Sequence, residues 1–166
     1  SNALASTGAS PAEMTWKSGF DVLTLGLTIT GAMGCEIILL FGGMRVQFDE
    51  LKARAKRSGH MPPKMRYLAA QAEALLTDNL WLSLAQTTNQ KAVRLANSLR
   101  AIPGTSLRYP VDGNEVFVVL SDTVASNLTA AGAKFYPWPG GCNRIVCAWS
   151  TSNKDIDDLV LALESA

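Results

Sequence analysis

Two short runs of branched apolar residues, "FDVLTLGL" (20–27) and "CEIILLF" (35–41), flank the Gly-rich stretch "GLTITGAMG" (26–34). Each run is too short for a buried helix and rich in side chains that suit a pleated surface, so each reads as a buried strand. Gly26, Gly31 and Gly34 let the chain turn between them. The first forty residues are thereby committed to a strand, hinge and strand whose apolar faces need cover from elsewhere.

After Gly42 and Gly43 the spacing becomes helical. Met44, Phe48, Leu51 and Ala55 share one face, with Glu50, Lys52, Arg54, Lys56 and Arg57 largely elsewhere. "SGHMPP" (58–63) stops that helix, since Gly permits a left-handed cap and Pro cannot continue it. A second helix is predicted from about Pro63 to Leu76, with Met65, Leu68, Ala69, Ala72 and Leu76 in register. Asp78 is placed to cap the longest helix, in which Leu80, Leu84, Thr88, Ala92, Leu95 and Leu99 form a stripe that closes at "IPG" (102–104).

Beyond that point the pattern is that of a compact α/β unit. "EVFVVL" (115–120) reads as a strand, followed by a helix opened by Ser121 and stopped by Gly132, then strands near "KFYPW" and "RIVCAW". Ser152 with Asp155 three residues later is a capping-box signature for a last helix carrying Ile156, Leu159, Val160 and Leu163. There are no repeats.

Composition narrows the function classes. Of 166 residues, 48% are apolar, enough for a sizeable core. Fifteen basic and 14 acidic residues leave a net charge of +1, so no global field recruits nucleic acid or an anionic membrane, and neither is an expected partner. Three cysteines, Cys35, Cys142 and Cys147, have no framework spacing, which predicts buried free thiols in a reducing, cytoplasmic setting. No metal is expected, because the single histidine, His60, lies far from the cysteines in sequence. The opening "SNA" reads as the scar of a cleaved tag at residues 1–3.

The stretch "NALASTGASPAEMTWKSGFDVLTLGLTITGAMGCE" (2–36), with "KRSGHMPPKMRYLAAQ" (56–71), "NEVFVVL" (114–120) and "FYPWPG" (135–140), resembles the threonine aldolase and β-eliminating lyase family. These are pyridoxal-phosphate (PLP) enzymes of the aspartate-aminotransferase-like fold type I. The resemblance covers almost the whole chain but only the C-terminal half or so of a complete member, and it begins at Asn2, inside the apparent scar. It implies an α/β fold. Residues 1–43 would be a two-strand remnant of the large domain, 44–78 linking helices and 79–166 the C-terminal small domain.

In the family the hinge reads Thr-Lys-Asn-Gly, and its lysine forms the Schiff base with the coenzyme aldehyde. Here the hinge reads Thr28-Ile29-Thr30-Gly31, and isoleucine has no nucleophile or proton to offer. The family's ring-stacking residue, the aspartate on the pyridine nitrogen and the phosphate loop lie upstream of the hinge, in sequence this chain does not contain. The resemblance therefore implies a degenerate lyase with no catalytic residue at position 29 and no bound cofactor expected for this chain. Thr28 and Arg66 would be vestigial cofactor contacts.

Arg144 would inherit the pairing with the amino-acid carboxylate, to which a planar fork is suited; alternatively it is an ordinary arginine at a strand start. Lys17 and Lys64 are amines that could replace the missing one, but neither lies on the hinge. His60 reads as a polar residue beyond a helix end rather than a general acid or base. Arg54, Lys56 and Arg57 read as a solvated helix face. Tyr136 and Trp138 sit on a proline-stiffened loop.

Three functional expectations follow. The first is a truncated lyase relative, inactive as an isolated chain. The second is an amino-acid-binding or regulatory module docking on an intact paralogue. The third is half of a split aldolase completed in trans by a separately encoded large domain. The exposed strand pair also predicts a homo-oligomer.

Overall fold

A computed structural model describes residues 1–164 of the chain. The elements follow in the order α1 (Asn2–Thr7), β1 (Val22–Gly26), β2 (Glu36–Leu40), α2 (Phe48–Arg57), α3 (Arg66–Leu76), α4 (Leu80–Ala101), β3 (Thr105–Leu107), β4 (Glu115–Leu120), α5 (Asp122–Ala130), β5 (Tyr136–Trp138), β6 (Cys142–Val146) and α6 (Asn153–Glu164). They form two compact units, one of residues 7–83 and one of residues 1–6 together with the chain from Leu84 onward.

In the first of these units β1 and β2 pair antiparallel, with Val22 opposite Leu40 and Gly26 opposite Glu36. No third strand joins them among the described residues. Val22, Thr24 and Ile38 share one face of this ribbon, and Ile38 is 62% exposed. The sequence reading of an uncovered strand pair thus holds for this face. Helix α2 starts four residues later than its apolar spacing implies, because residues 42–47 form a tighter 3-10 turn. None of its residues is buried, Phe48 included. It ends as expected at "SGH": Gly59 takes φ 78°, its N–H reaches the Lys56 carbonyl and the His60 N–H reaches that of Ala55, a Schellman cap. His60 is exposed, and its backbone closes the helix.

The α4 stripe holds over most of its length. Thr88, Ala92, Leu95 and Leu99 are buried as read, and only the first turn differs, with Trp81 buried and Leu80 outside; in α3 Leu68 and Ala72 are half-buried as read, but Leu75 is buried and Leu76 is 40% exposed. Asp78 and Asn79 are both left-handed, so Asp78 lacks the extended backbone of an N-cap.

The second unit is a four-stranded antiparallel sheet in the order β3-β4-β6-β5, backed on one face by helices. Its core joins Ala92, Leu95, Ala96 and Leu99 of α4 to Val116 and Val118 of β4, Val124 and Leu128 of α5, Ile145 and Cys147, and Ile156 and Leu163 of α6. Leu99, Leu128, Val116 and Val118 are fully buried, each contributing about 1.5–3 kcal/mol relative to exposure. Strand β3, only three residues long, has no counterpart in the sequence reading. Ser121 accepts the Val124 N–H at 3.4 Å and opens α5. Ser152 and Asp155 form the reciprocal capping box, at 2.7 and 3.1 Å. Asn2 is held to Asn89 by two amide hydrogen bonds of 2.9 and 3.0 Å, which ties α1 to α4.

Candidate functional site

The hinge between β1 and β2 is an ordered turn anchored from inside. Leu27, Thr30 and Cys35 are buried, and Leu27 N–H donates to the Cys35 carbonyl at 3.2 Å, extending the ribbon by one pair. Thr28 to Thr30 form one 3-10 turn, closed by Gly31 N–H to the Thr28 carbonyl. Two bonds pin the hinge to α3: Met33 N–H to Gln71 Oε1 at 2.8 Å, and the Cys35 thiol to the Leu68 carbonyl at 3.2 Å. The side chain of Ile29 points off this turn and is 79% exposed.

The mouth of the hinge holds a carboxylate that sequence reasoning did not single out. Glu36 accepts the Thr28 N–H at 3.3 Å, and its Oε2 lies 2.9 Å from where a Cβ on Gly26 would stand. A side chain at Gly26 would displace this exposed carboxylate from its place. Arg66 opens α3 in the same unit, exposed, with its guanidinium 4.8 Å from the ring of Tyr67. Lys17 lies over Trp16, and Lys64 holds a left-handed backbone at φ 62°. The hinge thus presents a hydrocarbon at position 29 and a carboxylate at its mouth, and none of its side chains carries an amine. These residues do not fit a covalently held PLP.

Arg144 belongs to the other unit, on the sheet face opposite the core. Strand register places it across from Phe117 on β4 and from Tyr136 on β5, while its neighbours Ile145 and Cys147 face the core. Its Nη2 pairs with Glu115, and its Nη1 donates to the Tyr136 hydroxyl. The guanidinium lies 5.1 Å from the Trp138 ring and 5.5 Å from the Tyr136 ring. Phe117 continues the aromatic layer, tilted against Trp138 at 5.6 Å and edge-on to Tyr109 at 5.7 Å. Arg144 Nε is buried without a hydrogen-bond partner among the described residues. Glu115 and Tyr136 hold the guanidinium even more firmly in its charged form, Glu115 having the larger effect against a smaller opposing effect of desolvation. Glu115 was missed because nothing in its own neighbourhood marks it; only strand pairing brings it to Arg144.

The three cysteines are buried and free, as their spacing predicts. Burial pushes the Cys147 thiol up to about 11, with Lys91 opposing weakly. Among the described residues no group of three or more histidine, cysteine, aspartate or glutamate side chains is placed to hold a metal, and no helix is long and apolar enough to cross a membrane.

The low-specificity L-threonine aldolase of Pseudomonas aeruginosa is 40% identical over 160 residues, which cover 96% of this chain and 46% of that protein. The enzyme of the same name from a Pseudomonas species is 38% identical with the same coverage. The chain matches about half of a threonine aldolase-family protein. In structure, the threonine aldolase of Leishmania major superposes with a TM-score of 0.74 at 27% identity, covering 98% of this chain and 49% of that one. The ornithine aminotransferase of Toxoplasma gondii, described with partial PLP occupancy at its active site, has a TM-score of 0.55 at 15% identity over 98% of this chain and 40% of its own. That last likeness concerns fold alone. No protein-family model matches the chain. The chain spans about half the length of the curated relatives it matches, and the α/β threonine aldolase resemblance read from its sequence holds across both units.

Proposed function

We propose that this chain is a threonine aldolase-type scaffold that does not carry out the lyase reaction by itself. The observation that carries this reading is Ile29, a hydrocarbon standing 79% exposed on the hinge turn where the family resemblance places the Schiff-base lysine. The Glu36 carboxylate supports it, because the resemblance makes Thr28 a vestigial cofactor contact and Glu36 already takes its N–H. What the Pseudomonas and Leishmania relatives do as whole enzymes therefore does not transfer to this chain alone.

The test is incubation with PLP, followed by a visible spectrum, borohydride reduction and peptide mapping, with a threonine-cleavage assay in parallel. The expected result is no stoichiometric modification at one lysine and no cleavage. Site-specific labelling of Lys17 or Lys64 together with cleavage of threonine overturns the reading.

A second reading, completion by another chain, is favoured by the exposed apolar side chains of the unit formed by residues 7–83. Met33 is 93% exposed, Val46 82% and Ile38 62%. A separately encoded large domain, an intact paralogue or a second copy of this chain would cover them. Arg144 would give such an assembly a carboxylate-binding group, provided Glu115 releases it.

A further inference from the structure

A groove of about 540 Å³ runs along the free edge of β3, on the far side of the sheet's order from β5, and neither the hinge nor Arg144 contributes to it. Arg100 reaches it from the last turn of α4, and Ser106, Leu107, Arg108 and Tyr109 reach it from β3 and the residues just after it. No acidic residue lines it.

Both guanidinium groups lack a carboxylate partner among the described residues. Arg100 Nη1 donates only to the amide oxygen of Asn97 at 2.8 Å, and Arg108 rests 5.8 Å from the ring of its neighbour Tyr109. Arg54, Arg94 and Arg144 each have a carboxylate, whereas Arg45, Arg57 and Arg66, like these two, have none among the described residues. Two unneutralised forks therefore share one concave surface in a protein whose net charge is only +1.

The backbone adds a donor. Arg108 N–H is bonded to the Phe117 carbonyl at 2.8 Å, and amides along an antiparallel strand alternate between partner and opposite edge. The Leu107 amide accordingly turns toward the free edge, where the groove lies. Ser106 brings a hydroxyl group, whereas the Thr105 hydroxyl is committed to the Ile102 carbonyl at 3.0 Å and the Tyr109 hydroxyl lies 3.6 Å from where a Cβ on Gly140 would stand. The charge of the lining is positive, set among the apolar side chains of Leu107 and Pro110.

We propose that this groove binds a small oxyanion of the phosphate class, held by the forks of Arg100 and Arg108 with the Leu107 amide and the Ser106 hydroxyl. Planar guanidinium pairs suit such an anion bidentately, and a compact tetrahedral ligand can take donors from two sides of one strand edge at once. The site stands apart from the proposed lyase reading and is independent of its outcome.

The experiment is a titration of the full chain with inorganic phosphate at low ionic strength, followed by amide chemical shifts. A parallel titration with glycerol phosphate distinguishes a free ion from a phosphomonoester. The expected result is a saturable shift at residues 106–109. Arg100→Gln and Arg108→Gln each weaken binding about tenfold or more, and Arg45→Gln, an exposed arginine of the other unit, leaves it unchanged. Arg108→Lys, which keeps the charge and loses the fork, falls between. Shifts that never saturate and that sodium chloride reproduces at equal ionic strength overturn the proposal. So does wild-type affinity in the Arg100→Gln/Arg108→Gln double variant.

Discussion

Arg144 and Glu115 form an ion pair across the β4 and β6 strands, with side chains 23% and 35% exposed. Partial burial and the flanking rings of Tyr136 and Trp138 screen the pair from water, so it sits between an exposed pair of little consequence and a buried one. Arg144→Ala is expected to cost about 1–3 kcal/mol, part of it from lost packing against the two rings. Chemical denaturation of both single variants and the double variant measures the coupling. Additive losses would show that the pair contributes nothing.

The same pair governs access to Arg144. An internal carboxylate already occupies the fork, so glycine or acetate must displace it. Glu115→Gln removes that competitor, and it is expected to strengthen glycine binding by calorimetry while Arg144→Ala abolishes it. Equal heats in Arg144→Ala and the parent chain would take Arg144 out of ligand binding.

Cys147 supplies a pH prediction. Its folded thiol is pushed up to about 11 by burial, whereas an unfolded thiol ionises near 9. Between those values the unfolded chain loses protons that the folded chain keeps, so folding stability falls as pH rises from about 9 to 11. The loss is of order 1–2 kcal/mol. Thermal melts across this range should show the slope in the parent chain and a shallower one in Cys147→Ala, which starts from a lower stability because it leaves a cavity. Parallel slopes would assign the alkaline loss to other groups.

The readable parts of the fold are those set by near neighbours in sequence. Ser121, Gly59 and the Ser152/Asp155 box act over three to five residues, and each caps its helix as the pattern predicts. The cap read at Asp78 failed because Asp78 and Asn79 are left-handed, and the stripes depart from their spacing beside that junction, at Leu75 in place of Leu76 and Trp81 in place of Leu80. Strand β3 is three residues long, too short for an alternation to register. At the candidate site, the family resemblance singled out position 29, but the partners of Arg144 were not legible. Glu115 is 29 residues away, and only the β4–β6 register makes it a neighbour.

Ile29 is a substitution site of low structural cost. Because its side chain is mostly in water, Ile29→Lys is expected to change stability by no more than about 0.5 kcal/mol. The new amine restores a nucleophile without the rest of a coenzyme bed, and Glu36 stays beside it. Threonine cleavage should therefore remain absent in Ile29→Lys and in the Ile29→Lys/Glu36→Gln double variant, as followed by aldehyde release. Turnover in Ile29→Lys would show that a missing lysine alone separates this chain from an active enzyme, and turnover in the double variant only would add Glu36 as a second obstacle.

The exposed ribbon makes a last prediction, about assembly. Ile38 on β2 and Val46 in the following 3-10 turn each present a large apolar side chain to solvent, and both ribbon edges lack a further strand among the described residues. Unpaired edges and apolar patches of this kind promote association. Light scattering coupled to size exclusion is expected to show a species larger than one 17.7 kDa chain at micromolar concentration. Ile38→Lys and Val46→Asp, each altering an exposed position and each expected to shift stability by no more than about 0.5 kcal/mol, should move the distribution toward monomer. A parent chain already monomeric would refute self-association, and an oligomer indifferent to both charges would place the contact on another surface, leaving this ribbon without a role in assembly.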